Sequence, residues 1–151
     1  MNKLFFICIL MIGFLSGQAQ AIKPADVPSA VTSVFKYNYP YATNVKWEME
    51  DGMYEASFMN NKVETSALYS SKGALAMTET KVEISSLPAG IMEYIAKNIP
   101  GGKISEVSKI VDAKGLISYE AEVNKTDYVF TANGQFLSKK EGDNDDDDDK
   151  D

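Results

Sequence analysis

Two stretches of the chain carry apolar residues at the spacing of an α-helix. The apolar positions lie three and four residues apart and are Val31, Val34 and Phe35, then Ile91, Tyr94 and Ile95. This stripe predicts helices from about Pro28 to Asn38 and from about Pro88 to Asn98. A proline suits the first turn, where a backbone N–H has no partner within the helix. Pro40 and Pro100 end the helices, because the residue before a proline disfavours helical geometry.

Apolar and polar residues alternate after each predicted helix, which is typical of half-buried β-strands. The predicted strands are Val45–Met49, Tyr54–Phe58, Val63–Tyr69 and Ala74–Val82, then Lys103–Val111, Ile117–Val123, Tyr128–Phe130 and Gln135–Ser138. Turn-forming pairs such as Asp51-Gly52 and Asn124-Lys125 separate them. The segment from Ile22 to Asp26, before the first helix, is predicted to be a linker.

The order of these elements is duplicated along the chain. The landmarks Pro28, Pro40, Tyr54-Glu55-Ala56 and Gly73 recur as Pro88, Pro100, Tyr119-Glu120-Ala121 and Gly134, at offsets of 60, 60, 65 and 61. A repeat of this size defines an architecture. We therefore predict an α+β fold, a tandem repeat (27–82 and 87–138) of one helix followed by about four antiparallel strands, with the helices packed on the sheet. How the two repeats join is left open.

The first 21 residues have the organisation of a signal peptide. Lys3 supplies a short positive region, and the apolar run from Leu4 to Leu15 is short for a membrane span. Cleavage after Ala21 or after Ala19 is consistent with the small residues at those positions. The protein is therefore predicted to be periplasmic or secreted, with no membrane span after cleavage.

The composition removes several kinds of chemistry. The chain has no histidine, all 15 of its basic residues are lysine, and Cys8 lies within the predicted signal peptide. The mature protein would then lack the usual general base, thiolate chemistry and the bidentate guanidinium clamp. Residues 22–140 contain 13 lysines against 14 acidic residues, so no basic surface for nucleic acid is expected. These absences favour a protein that is not an enzyme and has no cofactor.

Residues 141–151 contain eight acidic residues and one lysine, and are predicted to form a disordered acidic tail. The run Asp145, Asp146, Asp147, Asp148 and Asp149 offers hard oxygen ligands, so weak calcium binding is possible. The run lacks the glycine and terminal glutamate of a shaped calcium loop, and the binding would therefore be weak.

Three groups of residues are candidates for a functional site. Tyr37, Tyr39 and Tyr41 cluster around Pro40 and cannot all face one core, so we predict that they form a partner-binding patch. The aromatic residues Trp47, Tyr54, Phe58 and Tyr69 could form an exposed recognition face, but their strand parity favours the core. Glu55 and Glu120 occupy equivalent positions and could imitate the acid pair of a glycosidase, although outward-facing strand residues beside lysines are the favoured interpretation.

The landmarks together resemble a known family. They are Pro28, Tyr39-Pro40, Trp47, Tyr54-Glu55-Ala56 and Gly73, followed by Pro88, Pro100, Tyr119-Glu120-Ala121 and Gly134. This pattern resembles the PepSY-like family of Bacteroidetes envelope proteins, which is similar to the beta-lactamase-inhibitor protein fold. The second copy has Val107 where the first has Trp47. The resemblance implies that residues 22–140 form an exported α+β domain without known catalysis that binds or inhibits another protein.

The sequence therefore predicts an exported, non-enzymatic binding module whose partner is an unknown protein or peptide of the cell envelope. A first alternative is a weak calcium- or cation-binding envelope protein that acts through its acidic tail. A second alternative is a hydrolase that uses Glu55 and Glu120, and it requires their carboxyl groups to converge on one cleft. No residue indicates beta-lactamase as the target.

Overall fold

The computed structural model describes residues 20–50 and 52–141. Nearly all of the predicted signal peptide and acidic tail lies outside this part of the chain. The predicted domain boundaries at residues 21 and 141 therefore stay predictions.

The strands form one nine-stranded antiparallel sheet in which each strand pairs with its neighbours in sequence. They are β1 (Gln20–Ile22), β2 (Thr43–Glu50), β3 (Met53–Asn60), β4 (Val63–Tyr69), β5 (Leu75–Lys81), β6 (Ile104–Asp112), β7 (Ile117–Val123), β8 (Thr126–Thr131) and β9 (Phe136–Glu141). The two-residue turns Asn61-Lys62 and Asn124-Lys125 have positive φ angles at both positions. Such turns match the right-handed twist of the strands that they join.

Two ten-residue helices, α1 (Ser29–Asn38) and α2 (Ala89–Asn98), interrupt the run of strands. Both begin one residue later than predicted and end where predicted. Short 3-10 helices precede them at Pro24–Asp26 and Ile84–Ser86. At the C-terminal end of α1, the backbone N–H of Tyr39 donates to the Phe35 carbonyl at 2.8 Å.

The helices contribute to two apolar clusters on one side of the sheet. The first cluster contains Val27, Val31, Phe35, Trp47, Ala56, Phe58, Ala67 and Tyr69, and the second contains Ile91, Ile95, Val107, Ala121, Val123 and Phe130. The Phe35 ring lies 5.2 Å from the Trp47 ring and 5.0 Å from the Phe58 ring, both edge to face. The core interpretation of Trp47, Phe58 and Tyr69 is confirmed, because all three are buried. Tyr54, the fourth residue of that set, is partly buried against the same cluster.

The predicted fold class is wrong. The sequence indicated an α+β tandem repeat of one helix and about four strands, with helices packed on the sheet. The molecule is instead mainly one continuous nine-stranded sheet. Its two short helices contribute only two buried residues each. The alternation along a strand indicates which residues share a face, but it does not reveal which strand lies alongside.

Two strand pairings differ from the arrangement predicted from the sequence. β5 pairs with β6 from Met77 opposite Asp112 to Lys81 opposite Ser108, across the boundary between the predicted units. The predicted linker from Ile22 to Asp26 is also wrong, because Ile22 belongs to β1 and lies opposite Trp47 in β2. Three residues are too few for the alternation to indicate a strand.

A glycine in a turn between two strands allows each helix to lie close to the sheet. Gly134, between β8 and β9, has φ +84°, and a Cβ there would lie 3.0 Å from Gly90 Cα and from the Ile91 backbone nitrogen at the start of α2. Gly73, between β4 and β5, has φ +82°, and a Cβ there would lie 2.7 Å from the Ala30 carbonyl oxygen in α1. Only glycine combines this backbone conformation with this approach.

Gly134→Ala is expected to lower the free energy of unfolding by about 2–4 kcal/mol, because the strain of a left-handed backbone adds to a steric clash with α2. Gly115→Ala is the matched control, since Gly115 has φ +79° and nothing within 4 Å of a Cβ. The control should lose only about 1 kcal/mol. Urea unfolding of both variants measures the difference, and equal losses would contradict the close approach.

Candidate functional site: the uncovered face of the sheet

One side of the sheet carries the buried helix residues, and the other side carries the residues that alternate with the core. We call this second side the open face. Its residues form rows across paired strands: Glu48, Glu55, Leu68, Met77 and Asp112; Lys46, Ser57, Ser66, Glu79, Ile110 and Ser118; Lys81, Ser108, Glu120, Val129 and Ser138; and Glu106, Glu122, Asp127 and Lys140. The four buried helix residues all belong to clusters on the opposite side.

A shallow cleft of about 430 Å³ lies on the open face. Its lining includes Lys46, Glu55, Ser66, Glu79, Lys81 and Ser108. Leu68 also belongs to this face, between Glu55 and Met77 in register, yet only 5% of its surface is exposed. The centre of the face is therefore partly shielded from water by its own side chains.

Carboxylates dominate the charge of the open face, and one lysine links two of them. The Lys81 Nζ lies 3.0 Å from Glu64 Oε2 and 3.0 Å from Glu106 Oε2. These hydrogen bonds raise the pKa of Lys81. These two salt bridges show how an ammonium group fits between carboxylate side chains of β4 and β6 on this surface.

Burial and nearby like charges raise the pKa values of the carboxyl groups in the middle of the open face. Burial is the larger cause for Glu120, and with the nearby Glu79 and Asp127 it raises the pKa of Glu120 to about 7, while Lys140 opposes the shift. Burial also raises the pKa of Glu79, against a hydrogen bond with Ser108 that lowers it. Glu120 is therefore expected to carry its full negative charge only above neutral pH.

Asp127 belongs to the same group. Burial is the main cause of its raised pKa, Glu122 and Glu106 add to the effect, and Lys140 opposes it. Glu122 and Asp127 lie directly opposite each other in register, so β7 and β8 present adjacent like charges. Like charges placed directly opposite are unfavourable in a sheet.

The predicted acid pair does not meet. Glu55 is in β3 and Glu120 is in β7, so the two residues share the open face but are four strands apart. At about 4.8 Å per strand they are separated by about 19 Å, whereas glycosidase pairs are about 5–10 Å apart. The interpretation of Glu120 as a strand residue beside lysines also needs correction, because Glu79, Asp127 and Glu106 influence it as well as Lys140.

The three predicted contact tyrosines lie in different environments. Tyr37 is 87% exposed and Tyr41 is 81% exposed. Tyr39 is half-buried instead, with its ring 4.5 Å from the Phe58 ring and 5.7 Å from the Phe35 ring. A binding role for these tyrosines stays a prediction, but Tyr39 is part of the core packing.

The predicted calcium ligands Asp145–Asp149 lie outside the described residues. Within residues 20–50 and 52–141, no group of three or more acidic, histidine or cysteine side chains is arranged to hold a metal ion. No helix in that part of the chain is long and apolar enough to cross a membrane.

The sequence did not indicate the group formed by Glu79, Glu106, Glu122 and Asp127. The alternation around Tyr119 and Ala121 places Glu120 and Glu122 on the face away from the core, and that signal was available. The missing information was that β5 lies beside β6, since this pairing brings Glu79 into the group.

Comparison with known proteins agrees with the resemblance. A family profile described as beta-lactamase-inhibitor-like, PepSY-like matches residues 15–76 and residues 52–138. The chain belongs to the PepSY-like family. The family description is consistent with a binding or inhibitory module. No curated protein matches the chain.

Solved structures from Bacteroides share the fold. A protein from Bacteroides eggerthii described as periplasmic is 20% identical, with a TM-score of 0.68 over 76% of this chain and 88% of that one. A DUF2874 family protein from Bacteroides uniformis is 23% identical, with a TM-score of 0.66 over 75% and 88%. A BLIP-like protein from Bacteroides fragilis is 23% identical, with a TM-score of 0.63 over 78% and 90%. The description of the first relative agrees with the predicted location.

Glu120→Gln is expected to stabilise the folded protein at pH 8. A folded-state pKa of about 7, above the ordinary 4.5, means that ionisation disfavours the fold. The free energy of unfolding should then rise by about 2–3 kcal/mol from this group as the pH falls from 8 to 5. Urea unfolding at both pH values should show a smaller rise in the variant.

Glu93→Gln is the control for charge, because Glu93 is exposed on α2. It should leave the pH dependence of stability unchanged. An unchanged pH dependence in Glu120→Gln as well would contradict the buried, crowded environment of Glu120.

Proposed function

We propose that the chain is an exported, non-enzymatic binding module that recognises a protein or peptide partner of the cell envelope through its open face. The main support is that one side of a nine-stranded sheet has a cleft and a shielded centre, while both apolar clusters lie on the opposite side. The family description as beta-lactamase-inhibitor-like supports inhibition of the partner as the result of binding.

A sheet is a suitable platform for such binding. Hydrogen bonds to neighbouring strands hold the backbone of β3 to β8 on both sides. The side chains of the open face therefore project from fixed positions, and little conformational freedom is lost when a partner docks.

The residues of the chain give little support to catalysis. Its basic residues are all lysine, and the proposed acid pair is too far apart for glycoside hydrolysis. The pKa of the half-buried Glu120 is raised mainly by burial and by other carboxylates. This is consistent with a surface whose negative charge is compensated when a cationic partner covers it.

The exposed Tyr41 is proposed as a contact at the edge of the same surface. It precedes Asn44 by three residues, and Asn44 lines the cleft. Three residues of chain span at most about 10 Å, so a partner in the cleft could reach the tyrosine ring. Tyr37 lies within α1, on the helix side of the sheet.

Ser66→Arg is expected to abolish capture of the partner, because the new side chain would fill the cleft beside Glu79. Ala96→Arg adds the same charge at an exposed position of α2 and should leave capture unchanged. The measurement is pull-down from an envelope fraction, with circular dichroism to check the fold of both variants. Equal capture by Ser66→Arg and wild type would exclude the open face.

Tyr41→Ser is expected to weaken partner binding about tenfold, as the loss of an aromatic anchor at the interface edge. Tyr37→Ser is the matched control and should have a smaller effect, because Tyr37 is similarly exposed but lies on the helix side. Titration of the recovered partner by calorimetry gives both affinities. An effect of Tyr37→Ser larger than that of Tyr41→Ser would place the contact on the helix side instead.

A further inference from the structure

We infer that the partner segment that occupies the open face carries lysine or arginine side chains, which enter among the carboxylates of β5, β7 and β8, and that lowering the pH releases it. This inference rests on the proposed function. It adds the chemical class of the partner and the condition that controls binding.

The charges of the open face are strongly unequal. Besides Glu48 and Glu55 near one edge, carboxylates are contributed by β4, β5, β6, β7 and β8, while Lys46, Lys81 and Lys140 are the lysines in the rows of this face. Lys81 is already held between Glu64 and Glu106. A partner that covers this face must therefore bring positive charge, because a neutral or acidic partner would leave half-buried carboxylates uncompensated.

Lys81 shows the kind of contact that an incoming cation would make. Its ammonium group lies 3.0 Å from one carboxylate on each side, across the strands. Among the described residues, neither Glu79 nor Glu120 forms a salt bridge with a lysine. Glu64 and Glu106 share the ammonium group of Lys81. Within the residues that the structure describes, the nearby carboxylates of Glu79 and Glu120 have no such shared ammonium group.

A metal ion fits this surface less well than a cationic side chain does. Calcium is held by six to eight oxygens at about 2.3–2.6 Å, whereas side chains of neighbouring strands start about 4.8 Å apart. No suitable group of three ligands is present in the described part of the chain. The long side chains of lysine and arginine can reach between strands instead, and their donors match separated carboxylates.

A polypeptide fits the surface better than a small free amine does. The carboxylates alternate with serines and with the apolar residues Met77, Ile110 and Val129 along the rows of the open face. A peptide backbone and its apolar side chains can contact these positions while its cationic side chains reach the carboxylates. A free amine would leave them exposed to water.

The surroundings of Glu120 give the pH dependence. The charged groups that face it are Glu79 of β5, Glu106 of β6, Asp127 of β8 and Lys140 of β9. Its uncharged register neighbours are Ser108 and Val129. Three carboxylates against one lysine favour proton uptake by Glu120 as the pH falls, and the protonated face attracts a cationic segment less.

The direction of this linkage follows from the raised pKa of Glu120, about 7 without a partner. A bound cation favours the ionised carboxylate and lowers that pKa, so binding releases a proton. Because a bound cation keeps Glu120 ionised at both pH values, the affinity should fall about tenfold between pH 8 and pH 6, as protonation of the free face competes with binding.

Titration of the full chain with a tetralysine peptide, followed by amide NMR, tests the inference. At pH 8 the peptide should shift the amide signals of β5, β7 and β8 in a saturable way, with about tenfold weaker affinity at pH 6. Shifts confined to the acidic C-terminal residues, or spread evenly over the surface, would overturn the inference. A tetraglutamate peptide should cause no shift on the open face.

The variants Glu79→Gln and Glu120→Gln, combined in one protein, should weaken tetralysine binding to the open face at least tenfold and remove most of its pH dependence. The combination of Asp26→Asn and Glu93→Gln removes the same charge at exposed positions of the Pro24–Asp26 helix and of α2, on the helix side of the sheet, and should change neither. Equal affinities for the two double variants would contradict the inference. If tetralysine fails to bind while Ser66→Arg still abolishes partner capture, the inference is wrong and the proposed function remains.

Discussion

A nine-stranded sheet has two faces, and the apolar clusters formed with the two helices lie on only one of them. This difference between the two faces of the sheet is the constraint on which the rest of the structure depends. The helix side packs through aromatic contacts such as Phe35 on Trp47 and Phe58, and through glycine turns that let the helices approach closely. The open face carries no helix among the described residues, and the stability of the fold must tolerate the charged side chains that lie there.

The open face is not an ordinary solvated surface. Leu68 is nearly inaccessible there, and burial raises the pKa of Glu79, Glu120 and Asp127. Half-buried carboxylates beside one another oppose folding, because each loses hydration and repels its neighbours. A protein that retains such a surface is expected to use it, since replacing these groups by neutral residues would stabilise the isolated chain. We therefore connect the electrostatic cost of the open face with partner binding.

The sequence predicted the local structure well and the assembly poorly. The helix bounds at Asn38 and Asn98 and the core positions Trp47, Phe58 and Tyr69 follow from periodicities of a few residues, which local physics controls. The pairing of β5 with β6 depends on contacts between distant residues, and no pattern within either strand reveals it. The same limit applies to the site, because Glu79 and Glu120 belong together only once the sheet is continuous. Tyr39 and Tyr41 show a related limit, since two residues of sequence separate a core ring from an exposed one.

The most direct measurement is a carbon-13 NMR titration of the side-chain carboxyl groups in the full chain. If the open face is shielded and crowded with acids, the Glu120 signal should titrate with a midpoint near pH 7, and Glu79 and Asp127 should titrate above their ordinary values. A Glu120 midpoint near the ordinary value of 4.5 would mean that the face is as well solvated as any other surface. That result would contradict the claim that the uncovered side of the sheet is built for a cationic partner.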